Sequence, residues 1–297
     1  MAPAAPETGF ATNGDVALFY RRFGQPGRAP VLVLHGAGYY DSADWIEVGT
    51  ALAADGREVV AFDARGYGRS SWSRSADYSL DAQLSDIAAV TDHLGWEAPV
   101  LLGHSRGGAF TLRYAAAFPE RVGAAIFADS CPGRTARGPV PAGGGDAPSN
   151  GRLGPPQYPH YATLAEGLAS TSRDPTSLAS SAKRARLEQF FTPAPGGGGL
   201  VLSARDPRFG SARPVDDSGW EPRFGPIDLW AALAGLPMPT LIIRATRSLA
   251  FDGASVDRVR AEVGHAGYAE IDSGHDLAGE APAELLNTVR RFLAEQT

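Results

Sequence analysis

Gly103-His104-Ser105-Arg106-Gly107-Gly108 is the stretch on which the reading of this chain turns. An apolar run, Pro99-Val100-Leu101-Leu102, precedes it, and Ala109-Phe110-Thr111-Leu112-Arg113-Tyr114-Ala115, a helical pattern, follows. The context is strand, sharp turn, helix. A serine at the apex of such a turn needs small residues two positions before and two after it, because a side chain there would strike the neighbouring strand or helix. Gly103 and Gly107 fill those positions, and Gly108 lets the helix pack close. The turn lifts the Ser105 hydroxyl clear of a sheet and aims a helix N-terminus at whatever bonds to it. The bland alternative is a glycine-rich turn ahead of a helix.

Outward from that turn, strands and helices alternate. Residues 1–9 read as a loose tail and Val16–Tyr20 as the first strand. Val31–Leu34, Val59–Phe62, Val100–Leu102, Ala124–Ala128 and Pro239–Arg244 read as strands buried on both faces; Tyr268–Ile271 is the last. Leu80, Leu84, Ile87 and Leu94 recur at helical spacing behind Ser79, a good N-cap. Leu285, Leu286, Val289, Phe292 and Leu293 form one face of a final helix. The alternation predicts an α/β fold with a mostly parallel sheet and helices on both faces. It breaks once, over residues 132–230, a segment rich in proline and glycine and too long for a simple connection. That segment reads as an inserted cap with short helices near 161–169 and 178–191, leaving 1–131 and 231–297 as the core.

Composition narrows the function classes. The chain has 297 residues, 43% of them hydrophobic, and a net charge of −6 with no basic block. Nucleic acid and anionic membrane are therefore not expected as main partners. No apolar run approaches the ~20 residues that span a bilayer. Met1-Ala2-Pro3-Ala4-Ala5-Pro6-Glu7 carries neither the basic nor the apolar region of a secretory signal, so a cytoplasmic location is expected. Cys131 is the single cysteine, which excludes an intramolecular disulfide.

Four short motifs stand in order: His35-Gly36-Ala37-Gly38 after one strand, Asp63-Ala64-Arg65-Gly66-Tyr67-Gly68-Arg69-Ser70 after the next, the serine turn, and Gly274-His275-Asp276 after the last strand. With them the chain resembles the α/β-hydrolase superfamily over nearly all of residues 14–295 outside the insertion. The resemblance implies an eight-stranded sheet with the active site at the strand C-termini, and the order serine, acid, histidine along the chain.

A serine hydroxyl is a poor nucleophile until a base takes its proton. His275 is the candidate base, on a loop that can reach back over the sheet. His35 and His104 lie inside the other motifs and read as structural. A transition-state oxyanion needs fixed donors. The resemblance implies the backbone N–H groups of Arg106 and Ala37. Gly36 and Gly38 suit a backbone that turns sharply beside a substrate. Arg106 departs from the apolar residue more usual at its position and brings a charge close to the pocket.

The acid has two main candidates. The resemblance places it after the seventh strand, near Ser248, which cannot carry the charge; Asp252 stands four residues further on. Asp129 lies 24 residues after Ser105, one helix and one strand later, at the same sheet edge. An acid there is similar to the arrangement in type-II haloalkane dehalogenases and zearalenone-type lactonases. Asp276 is a more remote choice. Asp63, Arg65 and Cys131 read as structural residues.

The expected function is a serine hydrolase acting on a carboxylic ester or lactone of a small hydrophobic molecule through an acyl-enzyme. A macrolactone such as zearalenone is the substrate type that the layout resembles. Trp220, in Asp216-Asp217-Ser218-Gly219-Trp220-Glu221-Pro222, is the candidate substrate contact of the insertion, with an indole N–H able to donate to a substrate oxygen. A cofactor-free perhydrolase, a C–C bond hydrolase and a small-molecule receptor on the same fold are the rivals. No metal is expected, because histidines and carboxylates show no ligand spacing. No nucleotide cofactor is expected either, because the Gly-x-Gly at 36–38 lacks a third glycine.

Overall fold

A computed structural model of the chain describes residues 5–27, 30–37, 40–132, 161–171, 188, 191–193, 200–202, 206 and 228–296. Its strands are β1 (Glu7–Asn13), β2 (Val16–Phe23), β3 (Val31–Leu34), β4 (Val59–Phe62), β5 (Val100–His104), β6 (Ala124–Ala128), β7 (Phe191–Pro193), β8 (Leu200–Leu202), β9 (Thr240–Ala245) and β10 (Gly267–Ile271). Eight of them form one sheet in the order β1-β2-β4-β3-β5-β6-β9-β10. β1 and β2 run antiparallel to their neighbours, and every pair from β4 to β10 is parallel. β7 and β8 make a separate antiparallel pair.

The central strands are short because each is covered on both faces. Period-two alternation sorts their side chains: Leu32 and Leu34 enter one apolar layer, Val31 and Val33 the other. The first layer is filled from helices α2 (Leu80–Leu94) and α3 (Arg106–Ala117), by Leu84, Ile87, Val90, Leu112 and Tyr114. The second is filled from α1 (Ile46–Ala54) and the helix Pro282–Ala294, by Val48, Leu52, Leu285, Val289 and Phe292. Ser79 caps α2 as expected, its hydroxyl accepting from the Ala82 N–H at 3.2 Å, and Gly95 ends the helix at φ +70°.

Two expectations need correction. The tail over residues 1–9 gives way at Glu7 to β1, which pairs along its length with β2, Phe10 opposite Phe19. Only Ala11 of this edge strand is fully buried, so the hydrophobic pattern is weak. The turn Asn13-Gly14, with Gly14 at φ +59°, was the signal available for it. Phe191, placed at the end of a helix, instead begins β7; most of 178–191 lies outside the described residues, while the helix near 161–169 is found at Leu164–Thr171.

Arg65 and Asp86 form a buried bidentate pair with both oxygens at 2.7 Å, and Asn13 donates to the same carboxylate at 2.8 Å, tying the β1–β2 turn to α2. Asp63 is buried at the end of β4 and accepts the N–H groups of Ser42 and Arg69, both at 2.7 Å. Burial, helped by the nearby charge of Asp41, pushes its carboxyl up to about 6. The folded chain thus holds this proton more tightly than the unfolded one. The contribution favours folding below the unfolded value of 3.8 and is lost as pH rises through about 6. The expected loss is on the order of 3 kcal/mol. Urea unfolding between pH ~4 and ~7 should show a fall in stability that Asp63→Asn flattens; equal slopes in both proteins would contradict it.

Among the described residues no helix is long and apolar enough to cross a membrane.

Candidate active site

The C-terminal edge of the sheet gathers three side chains from distant parts of the chain. Ser105 stands one residue beyond β5, where its N–H still donates to the Ala128 carbonyl at 3.0 Å. Its backbone is at φ +52°, ψ −115°, a conformation that L side chains rarely adopt and that costs on the order of 1–3 kcal/mol. Asp129 stands one residue beyond β6, its N–H donating to Ile243 at 2.8 Å, with φ +47°. Both positions therefore continue the sheet ladder and then turn sharply, which points their side chains over the edge.

Glycines make the serine turn possible. A Cβ on Gly103 would lie 2.5 Å from Thr111 Oγ1 and 2.6 Å from the Gly107 carbonyl. One on Gly107 would overlap the carbonyls of Leu34 and His35, and one on Gly108 would strike Ser130. The loop after β3 and the start of α3 thus touch backbone to backbone. Gly107→Ala has no flexible neighbour to displace, so it should destabilise the fold by roughly 3 kcal/mol or more or prevent folding. A variant that melts with the wild type would contradict that packing.

The third side chain is His275, in the loop after β10. Three contacts fix that loop: Arg247 N–H to Ser273 O at 3.0 Å, Gly274 N–H to Glu280 Oε2 at 2.9 Å, and His104 Nε2–H to the His275 carbonyl at 2.7 Å. His275 Nδ1 lies 2.6 Å from Asp129 Oδ2, and His275 Nε2 lies 2.9 Å from Ser105 Oγ. The carboxylate only accepts, so Nδ1 carries the proton and Nε2 is left to accept from the serine hydroxyl. Asp129 is 1% exposed, and its other oxygen accepts the Ala245 N–H at 3.1 Å. This arrangement can take a proton from Ser105 and hold the resulting imidazolium beside a buried charge.

The other candidates fall as follows. Asp252 caps the helix Gly253–Glu262, accepting the Ser255 N–H at 2.9 Å, and it is Asp129 that reaches His275. Ser248 lies 3.4 Å from His275 Nδ1 and accepts the Ala250 N–H at 3.0 Å. Asp276 is buried at the start of the helix Leu277–Glu280. Ala37 is exposed in the loop after β3, and Arg106 opens α3, its N–H at the helix N-terminus. Gly36 is buried; a Cβ there would come within 2.8 Å of His104 Nδ1. Gly38 and Trp220 lie outside the described residues, as does most of the segment 132–230.

The Arg106 side chain packs on Tyr67. Its Nη1 donates to Tyr67 Oη at 2.9 Å and its guanidinium sits 4.2 Å from the Tyr67 ring centre. Tyr67 in turn packs on His35 at 5.2 Å. His35 Nε2 accepts the Ala64 N–H at 2.9 Å, which leaves its Nδ1–H to donate to Gly36 O at 2.8 Å and fix the turn before Ala37. Two contributors had no sequence signal: the Ser130 hydroxyl, which donates to the Ser105 carbonyl at 2.7 Å, and the His104 bond to the His275 backbone. Both depend on loop conformation, not on pattern.

The family model for the alpha/beta hydrolase fold matches residues 29–282. The chain belongs to the α/β-hydrolase fold family. Among curated relatives of the chain, a bifunctional esterase/perhydrolase of Acinetobacter calcoaceticus is 35% identical over 128 residues, 42% of this chain and 45% of the relative. An esterase of Mycobacterium tuberculosis is 25% identical over 277 residues, 90% of this chain and 84% of the relative. The chain spans a little under half the length of the first curated relatives it matches. Among solved structures, the thioesterase domain from the curacin biosynthetic pathway superposes with a TM-score of 0.73 at 21% identity, over 97% of this chain and all of that one, which establishes the shared fold.

Proposed function

We propose that this α/β hydrolase cleaves carboxylic esters through an acyl-enzyme on Ser105. The observation that carries the reading is His275 bridging Ser105 Oγ at 2.9 Å and Asp129 at 2.6 Å. In the first step Ser105 Oγ bonds to the carbonyl carbon while its proton passes to His275 Nε2. The oxyanion so formed accepts from the N–H groups of Arg106 and Ala37. The C–O bond to the alcohol then breaks, and the alcohol leaves with the proton from His275. Water repeats the sequence on the acyl-enzyme and releases the acid. Asp129 keeps its charge throughout and stabilises the imidazolium.

A lactone is an ester whose alcohol stays tethered, so the same steps open a ring. The acid at the end of β6 supports the comparison with zearalenone-type lactonases that the sequence prompted. The test is turnover of p-nitrophenyl acetate and butyrate beside a macrolactone. Turnover of the simple esters supports the esterase reading, and lactone opening supports the finer one. Inactivity on all of them would favour a receptor. A second reading draws on the Acinetobacter relative, whose name includes perhydrolase. Hydrogen peroxide in place of water at the second step would release a peracid, so peracid formation from an ester and peroxide distinguishes it.

A further inference from the structure

A cavity of about 180 Å³ lies between α3 and the helix Leu229–Ala234, close to the serine turn but sharing no residue with the serine–histidine–aspartate line. Among the described residues its walls include Ala109, Leu112, Phe127, Cys131, Leu229 and Leu233. They are apolar in fact as well as in name. The Cys131 thiol is pushed up to about 12, chiefly by burial and then by the charge of Asp252, so it stays protonated. The Ser130 hydroxyl at the rim is already spent on the Ser105 carbonyl. An apolar cavity of ~150 Å³ is large enough to take up benzene.

Among the described residues one charged group lines this space, Arg113. Helical side chains lean toward the N-terminus, and Arg113 does so, its Nη1 donating to the Ala109 carbonyl one turn back at 3.0 Å. Among the described residues no carboxylate pairs with it. Its guanidinium is held below the usual arginine value by burial alone, with no neighbouring charge acting on it. Arg113 is half-buried, and drawing a cation part-way out of water costs free energy that a counter-charge recovers. Here the residue that carries the cation lines a cavity with room for a ligand.

We propose that this cavity is a binding site for a small apolar carboxylate of benzoate size, its ring among the aliphatic walls and its carboxylate on Arg113. The guanidinium offers a planar pair of donors matched to a carboxylate. A neutral molecule of the same shape would fill the cavity and leave the charge unanswered. The site is separate from ester cleavage and does not depend on it.

The test is calorimetric titration of the full chain with benzoate and with benzyl alcohol. Benzoate should bind saturably and more tightly than the alcohol. Arg113→Gln should weaken benzoate about tenfold and leave benzyl alcohol unchanged. Ala109→Leu, which fills the space, should weaken both. Melting of Arg113→Gln at or above the wild-type temperature fits a cation held for a ligand. Equal benzoate affinity in wild type and Arg113→Gln, binding untouched by Ala109→Leu, or no saturable binding to the wild type would overturn the proposal. So would a melting point several degrees lower in Arg113→Gln, since the arginine would then serve packing.

Discussion

Asp129→Asn should lower kcat for an activated ester by about 10⁴ while the protein stays folded. The reason is the proton on His275. Asp129 Oδ1 accepts the Ala245 N–H at 3.1 Å, and Oδ2 faces His275 Nδ1 at 2.6 Å. An asparagine keeps its carbonyl oxygen on Ala245, because an amide NH₂ cannot accept from that donor. Its NH₂ then faces Nδ1 and forces that nitrogen to accept. The ring proton moves to Nε2, the nitrogen that must receive the proton of Ser105, and the base is lost with the geometry intact. Asp252→Asn makes the contrast. Asparagine caps a helix as well as aspartate does, so both activity and melting temperature should stay close to wild type. Steady-state kinetics of the two variants, with circular dichroism melts, decide it. The reverse ranking would move the acid to Asp252.

Ser105→Ala should cost more, about 10⁶ in kcat, because without the hydroxyl no acyl-enzyme forms. The hydroxyl makes no capping bond to α3, and alanine meets the same backbone strain at φ +52° that serine does. The melting temperature should therefore stay near wild type, which separates loss of chemistry from loss of fold. Activity that survives in Ser105→Ala after contaminating esterase is excluded would mean that another group cleaves the ester.

Much of the sheet was legible because burial on both faces writes continuous apolar runs. Val31–Leu34, Val59–Phe62 and Ala124–Ala128 are strands with the expected bounds. β1 was missed because an edge strand buries little: one fully buried residue leaves almost no period to read. At the site, the spacing from Ser105 to Asp129 was informative since one helix and one parallel strand return the chain to the same sheet edge. The spacing alone left Asp252 open. What separates the two is the positive φ at Asp129 and the capping role of Asp252, and both are local backbone facts. The side-chain direction of Arg106 was equally hidden. Its sequence position placed a charge close to the pocket, and the structure seats that charge on the Tyr67 ring.

The most direct test of the account is covalent trapping of the nucleophile. A fluorophosphonate reacts with a serine only where a base takes the proton and fixed donors receive the oxyanion. Treatment of the wild type, followed by intact and peptide mass measurement, should give one phosphonyl adduct, on Ser105, formed as ester turnover disappears. Asp129→Asn should label far more slowly and Ser105→Ala not at all. Complete loss of turnover with the adduct on a different residue, or full turnover with no adduct, would contradict the assignment of Ser105, His275 and Asp129 as one reacting unit.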